Sequence, residues 1–185
     1  MFFSEVKMSD NIISNEKIDI EKLERARRII LDMQNKMQNY IKAGNGPFIA
    51  SIYDDKGNKI VEVANSVEKE NCSNNHAEMN AIKEAQKKLD NYDLSKYNLS
   101  IYVTAEPCMM CIGGIMWSGI KNVYYGVPSA DVEKITGFDE GFKPFWFDEF
   151  KKRGITVYGN IEAEIGKSEL KKYVEAGKTV YKPTR

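Results

Sequence analysis

Between residues 18 and 43, apolar side chains return every three or four positions: Ile20, Leu23, Ala26, Ile30, Met33, Met37 and Ile41. That spacing predicts one amphipathic helix with a single buried stripe, and Gly44-Asn45-Gly46-Pro47 stops it. The period then changes. Phe48–Tyr53 is a short apolar run that predicts a strand, 54–58 a turn, and 59–64 the return strand of a hairpin. A polar stretch over 65–75 predicts a loop leading into a helix from His76 to about Leu89. A loop over 91–98 precedes a buried strand over 99–104 and a helix over 108–118. Strands are predicted over 122–126 and 155–158, helices over 129–136 and 145–153, and a helical fragment over 170–175. Residues 1–17 are polar and unpatterned and read as an N-terminal arm; residues 177–185 read as a tail.

The resulting order, αββαβαβαβα, predicts an α/β fold: a three-layer α-β-α sandwich around a five-stranded mixed sheet. A helical connection between the fourth and fifth strands makes those two parallel. At 185 residues the chain fits one domain, taken as 18–185.

Charge narrows the partners. Lys plus Arg and Asp plus Glu both number 27, for a net charge of zero, which gives no general attraction to nucleic acid. Met1-Phe2-Phe3 is apolar but is followed at once by Glu5, Lys7 and Asp10, so no signal peptide is expected. The apolar runs are too short to span a bilayer, and no membrane partner is expected. Cys72 has no obvious partner, which fits a reducing cytoplasm. It also stands four residues before His76, where it could be a loop thiol, a lip residue or an extra ligand.

The chemistry is concentrated. The one histidine of the chain lies in His76-Ala77-Glu78, and two of its three cysteines lie in Pro107-Cys108-Met109-Met110-Cys111. An imidazole and two thiolates are a soft set suited to Zn2+, one per chain. Three protein ligands leave a tetrahedral ion one position for water, the mark of a catalytic rather than a structural site. On a helical turn Cys108 and Cys111 share a face, and Pro107 suits the first turn. Glu78 is the general base by position, but two residues on a helix are about 200° apart. His76 and Glu78 therefore converge only near a helix start.

Asn75-His76-Ala77-Glu78-Met79-Asn80-Ala81-Ile82 and Thr104-Ala105-Glu106-Pro107-Cys108-Met109-Met110-Cys111 resemble the cytidine deaminase-like superfamily of zinc hydrolases. The resemblance runs from about Ile41 to Gly159 and implies the same three-layer fold, hydrolytic deamination of an aminated ring, and a homodimer. Ile112, Ile115, Met116 and Trp117 are candidates for the subunit contact, and equally for packing on the sheet. Three features resemble the guanine deaminase branch: Gly46-Pro47-Phe48 before the first strand, Asn65 at the end of the second, and Gly137-Phe138-Asp139-Glu140. The resemblance implies that Phe48, Asn65 and Asp139 or Glu140 contact a free nucleobase or nucleoside. In such a reaction backbone N–H groups near Ala77 and Cys108 are expected to assist; Phe142–Phe147, rich in Phe and including Trp146, reads as a lid that stacks on a base, and the resemblance implies that Tyr181 joins it.

Each of these residues also has a plainer reading. Phe48 reads as a core aromatic, Asn65 as a turn residue, Asp139 and Glu140 as a solvated loop, and the Trp146 segment as a hydrophobic staple. Cys72-Ser73-Asn74-Asn75 and Met109 depart from the guanine deaminase pattern. The alternatives are a tRNA adenosine deaminase, a cytosine or cytidine deaminase, and a non-catalytic zinc scaffold. The scaffold is disfavoured because Glu78 is kept, and RNA because acidic residues interleave the basic tail.

Overall fold

Asp19 ends the polar N-terminal stretch: its carboxylate accepts the Lys22 N–H at 3.1 Å and caps the helix that follows. The computed structural model describes residues 11–141 and 143–180. In chain order these form β1 (Ile13–Ser14), α1 (Ile20–Lys42), β2 (Ile49–Tyr53), β3 (Lys59–Ala64), α2 (Val67–Glu70) and α3 (Ala77–Lys88). A 3-10 turn (Leu94–Tyr97), β4 (Ser100–Ala105), α4 (Met109–Ser118) and β5 (Asn122–Val127) come next. α5 (Ser129–Thr136), α6 (Trp146–Lys152), β6 (Thr156–Gly159) and α7 (Ala163–Glu175) complete the order.

The sheet order is β1-β6-β5-β4-β2-β3. β4, β5 and β6 are parallel, β2 is antiparallel to both β3 and β4, and β1 is antiparallel to β6. The expected mixed sheet and the parallel pairing across the α5–α6 connection are both present. Helices cover both faces. The α1 stripe packs on Tyr102, Tyr124 and Tyr158, which sit in register across three strands. Tyr102 and Tyr124 stack at 4.8 Å, and Tyr158 meets Tyr124 edge-on at 5.4 Å. On the other face, Ala77, Ala81 and Ala85 of α3 and Ile112 and Ile115 of α4 pack against Ala50, Ile101 and Val123.

The sheet has six strands rather than five. The sixth is Ile13–Ser14, inside the stretch predicted to be an arm. Two residues are too few to show the alternation that marks a strand. The pairing is extended by the Asn15 amide, which acts like one more backbone unit. Its Oδ1 accepts the Val157 N–H at 2.9 Å and its Nδ2 donates to the Ile155 carbonyl at 2.9 Å. α7 begins at Ala163, seven residues before the predicted fragment. Gly166 hid it: glycine reads as a helix breaker, but a Cβ there would lie 2.5 Å from Val127 Cγ2. Close packing requires glycine at that position. Among the described residues, no helix is long and apolar enough to cross a membrane. Met1–Asp10, Phe142 and Tyr181–Arg185 lie outside the described residues.

Candidate active site

β4 and β5 run parallel, and their C-terminal ends open toward the starts of α3 and α4, where open α/β sheets place ligands. His76 is the N-cap of α3, with extended backbone at φ −64° and ψ 155°. Cys108 is the N-cap of α4, at φ −71° and ψ 171°. Pro107 therefore lies outside the helix rather than in its first turn, and Cys108 is the residue at which the chain enters it. The N-cap geometry resolves the 200° problem. His76 is not yet on the helix, so its side chain and that of Glu78 can turn toward the same space. Asn80 fixes the approach: its Nδ2 donates to Ala64 O at 3.2 Å, Ser66 Oγ at 3.0 Å and Asn75 O at 3.2 Å. That tie joins the start of α3 to the end of β3; sequence reasoning assigned Asn80 no role.

His76 Nδ1 lies 3.5 Å from Cys108 Sγ and 3.6 Å from Cys111 Sγ, and the two sulfurs are 3.6 Å apart. Among the described residues these three form the cluster able to hold a metal ion. Tetrahedral bonds of ~2.3 Å to sulfur and ~2.0–2.1 Å to nitrogen separate ligand atoms by about 3.5–3.8 Å, so the donor set fits zinc in both chemistry and spacing. Electrostatics agree. The bond from Cys111 holds the Cys108 thiol down at about 4, and that same bond together with burial pushes Cys111 up. The two thiols are thus pushed in opposite directions, and a dication held between them would favour the thiolate form of both. The N-termini of α3 and α4 add positive potential. Burial opposes the imidazolium of His76, but its bond to Cys108 and the charges of Glu78 and Cys108 outweigh this and raise it. Cys72 is exposed and stands outside the cluster.

Glu78 is buried, with 6% of its surface exposed. Burial, then the Cys108 thiolate, push its carboxyl up to about 7. It faces a cavity of about 540 Å3 that His76 and Cys108 also line. Of the residues expected to contact a ligand, Phe48, Asn65 and Asp139 line this cavity. Ala77, also expected at the ligand, is fully buried and is not among the residues that line the cavity. Trp146 is not in the wall. It packs into the core, 5.3 Å from the Phe150 ring and 6.2 Å from that of Tyr125. The lid expectation for Trp146 gives way to the hydrophobic staple: its ring is buried among core aromatics rather than standing at the mouth. The two other lid residues named, Phe142 and Tyr181, lie outside the described residues.

The wall also holds residues to which the sequence assigned no ligand contact. Phe138 meets Phe48 edge-on at 5.7 Å, and Tyr173 and Thr179 arrive from α7 and the segment after it. Glu68, Glu78, Glu106, Asp139 and Glu140 line the cavity, and no Lys or Arg is among the described lining residues. Glu140 is raised by burial, against the nearby Lys143 ammonium.

Residues 20–127 match the model of the cytidine and deoxycytidylate deaminase zinc-binding region. The chain is 40% identical to the guanine deaminase of Bacillus subtilis over 103 residues, which are 55% of this chain and 64% of that protein. It thus spans just under two thirds of that relative. It is 32% identical to the tRNA-specific adenosine deaminase of Haemophilus influenzae over 160 residues, covering 86% of this chain and 87% of that one. The solved guanine deaminase of Nitrosomonas europaea superposes with a TM-score of 0.74 at 36% identity, over 78% of this chain and 81% of the other. The family match takes in His76, Glu78, Cys108 and Cys111 together with the strands and helices that converge them; the chain belongs to the cytidine and deoxycytidylate deaminase zinc-binding family.

Proposed function

We propose that this protein is a zinc-dependent aminohydrolase that deaminates a free aminated nucleobase, guanine first, with a nucleoside as the next candidate. Water adds at the ring carbon that bears the exocyclic amine, and ammonia leaves. The observation that carries the reading is the cavity: partly apolar, walled by carboxylates including Glu78, and without Lys or Arg among its described lining residues. Such a wall suits the N–H-rich edge of a neutral purine and opposes a phosphate.

Bound zinc supplies Lewis acidity toward a water oxygen. Glu78 accepts the proton released as that oxygen attacks and passes it to a ring nitrogen; it then takes the second proton, from the added hydroxyl, and gives it to the departing amine, which leaves as ammonia. Its raised pKa suits a group that must both take and return a proton. Asn65 Oδ1 accepts the Val67 N–H at 3.2 Å, which leaves Nδ2 to donate to a ring carbonyl. Phe48 and Phe138 offer an aromatic wall for the base. Asp139 and Glu140 accept from its amine and ring N–H groups, and the Cys108 N–H at the start of α4 supports the developing alkoxide.

The second reading, adenosine in tRNA, is favoured by the near full-length match to the Haemophilus relative. Against it, two of the C-terminal lysines are engaged locally: Lys167 pairs with Asp131 and Glu164, and Lys172 with Glu169. Ammonia release from guanine, guanosine, cytosine and an adenosine-bearing anticodon stem-loop decides between them. Release from the stem-loop alone would overturn the nucleobase assignment.

We also infer a homodimer through α4. Ile112 and Ile115 face the core, but Trp117 is 85% exposed and Met109 45%, and these two present the apolar surface. A cytoplasmic location accords with two thiolates that must stay reduced to bind metal.

A further inference from the structure

We propose that Lys143 is a positioning residue: its ammonium docks the segment bearing Glu140 onto the start of α4 and fixes the Glu140 carboxylate in the cavity wall. Lys143 Nζ lies 3.0 Å from Glu140 Oε2, 3.3 Å from Glu106 Oε1 and 3.2 Å from the Pro107 carbonyl oxygen, and it also donates to Ser129 Oγ. These acceptors come from three places: the end of β4, the first residue of α5, and the Glu140 segment itself. All the charged partners are secluded, with side-chain exposures of 10% for Lys143, 14% for Glu106 and 13% for Glu140.

A secluded ammonium needs its three hydrogens satisfied, and four acceptors within reach satisfy them. Lys143 is not in the described cavity wall, whereas both of its carboxylate partners are. It therefore sits behind two of the wall's acids and offsets their mutual repulsion. Lys143 and Ser129 both donate to Oε2 of Glu140. Oε1 is thereby the oxygen presented to a ligand. Ser129 is itself held by Glu106, whose Oε2 accepts the Ser129 N–H at 3.0 Å. The network thus links Glu140 to the backbone one residue before Cys108. Lys143 acts through Glu140 and touches no ligand.

The activity arm of the test rests on the deaminase reading; the structural arm does not. Lys143→Met, Glu140→Gln and the double variant are prepared in the full chain, with zinc content and melting temperature measured for each. Lys143→Gln replaces Lys143→Met if the latter does not fold. In the structural arm, Lys143→Met speeds amide hydrogen exchange at Gly137–Gly141 by about tenfold or more, while α3 stays protected. Unchanged exchange there overturns the proposal. In the activity arm, Lys143→Met lowers kcat/KM about tenfold in the parent chain and by less than about twofold in the Glu140→Gln background. Equal losses in both backgrounds would show that Lys143 does not work through Glu140. If the parent chain releases ammonia from no base, the deaminase reading fails, and the exchange result alone decides the role of Lys143.

Discussion

The Asn65 side chain occupies the space that a methyl group on Gly46 would need: a Cβ there would lie 2.9 Å from Asn65 Oδ1 and 3.2 Å from its Cγ. The backbones around the pair are zipped together. The Gly46 N–H donates to Asn65 O, and the Asn65 N–H donates to Phe48 O, each at 2.9 Å. Neither residue can retreat cheaply. Gly46→Ala should displace the amide and raise KM for the base several-fold, about the value of one hydrogen bond, with a smaller change in kcat. Asn65→Ala should cost at least as much. Steady-state kinetics on both variants check this, and a silent Gly46→Ala beside an impaired Asn65→Ala would place the amide's freedom elsewhere.

Glu78→Gln keeps the shape of the side chain and removes the proton acceptor. Turnover should fall by ~10^2–10^4-fold, while zinc, which binds at His76, Cys108 and Cys111, stays at one per chain. Kinetics and elemental analysis of the same preparation read the two separately. Normal turnover would exclude Glu78 as the proton carrier.

Cys111, in the first turn of α4, is fully buried, and one sulfur and one imidazole cannot replace a three-ligand site. Cys111→Ser should bring metal content close to zero and lower the melting temperature, since metal binding and folding are coupled. A chelator added to the parent chain should reproduce the shift.

Trp146→Ala tests the core assignment. Deleting a buried indole typically costs about 3–5 kcal/mol, so chemical denaturation should show a large loss of stability. Corrected for folded fraction, kcat/KM should stay within about threefold. Lost activity at unchanged stability would restore the lid reading.

Glu62 carries a pH signature on the far face of the sheet. Burial opposes its ionisation, but ammoniums at 2.7 Å (Lys59) and 3.3 Å (Lys36) outweigh this and hold it below the ordinary carboxylate value of 4.5. A depressed carboxyl contributes stability above its unfolded pKa and loses it as pH falls through the folded one. Glu62→Gln should therefore be less stable than the parent near neutral pH, and the gap should narrow as pH falls below 4.5. Melting temperatures across that range measure it; a pH-independent gap would mean that the charge is irrelevant.

The elements legible in the sequence were those with enough length to show a period. The stripe of α1 from Leu23 to Ile41, the β2–β3 hairpin with its Asp-rich turn, and the Ser129–Thr136 helix all appear where their patterns place them, although Ile20, the first residue of the expected stripe, is exposed. β1 and the first turns of α7 escaped because their causes are not local. One is completed by a side-chain amide reaching a strand far along the chain, and the other carries a glycine that only close packing explains.

The chemistry divides the same way. The sequence by itself determined the reacting set, because one imidazole, two thiolates three residues apart and a nearby carboxylate are residue types, and type decides what a group can bind or protonate. Only the tertiary structure decided what surrounds that set. It turned His76 toward Glu78 by ending the helix at an N-cap, withdrew Trp146 into the core, and brought Phe138, Glu106 and Tyr173 to the wall. It also put Lys143 behind Glu140. Those placements depend on distances between segments that meet only after the sheet has formed, and no local pattern along the chain records them.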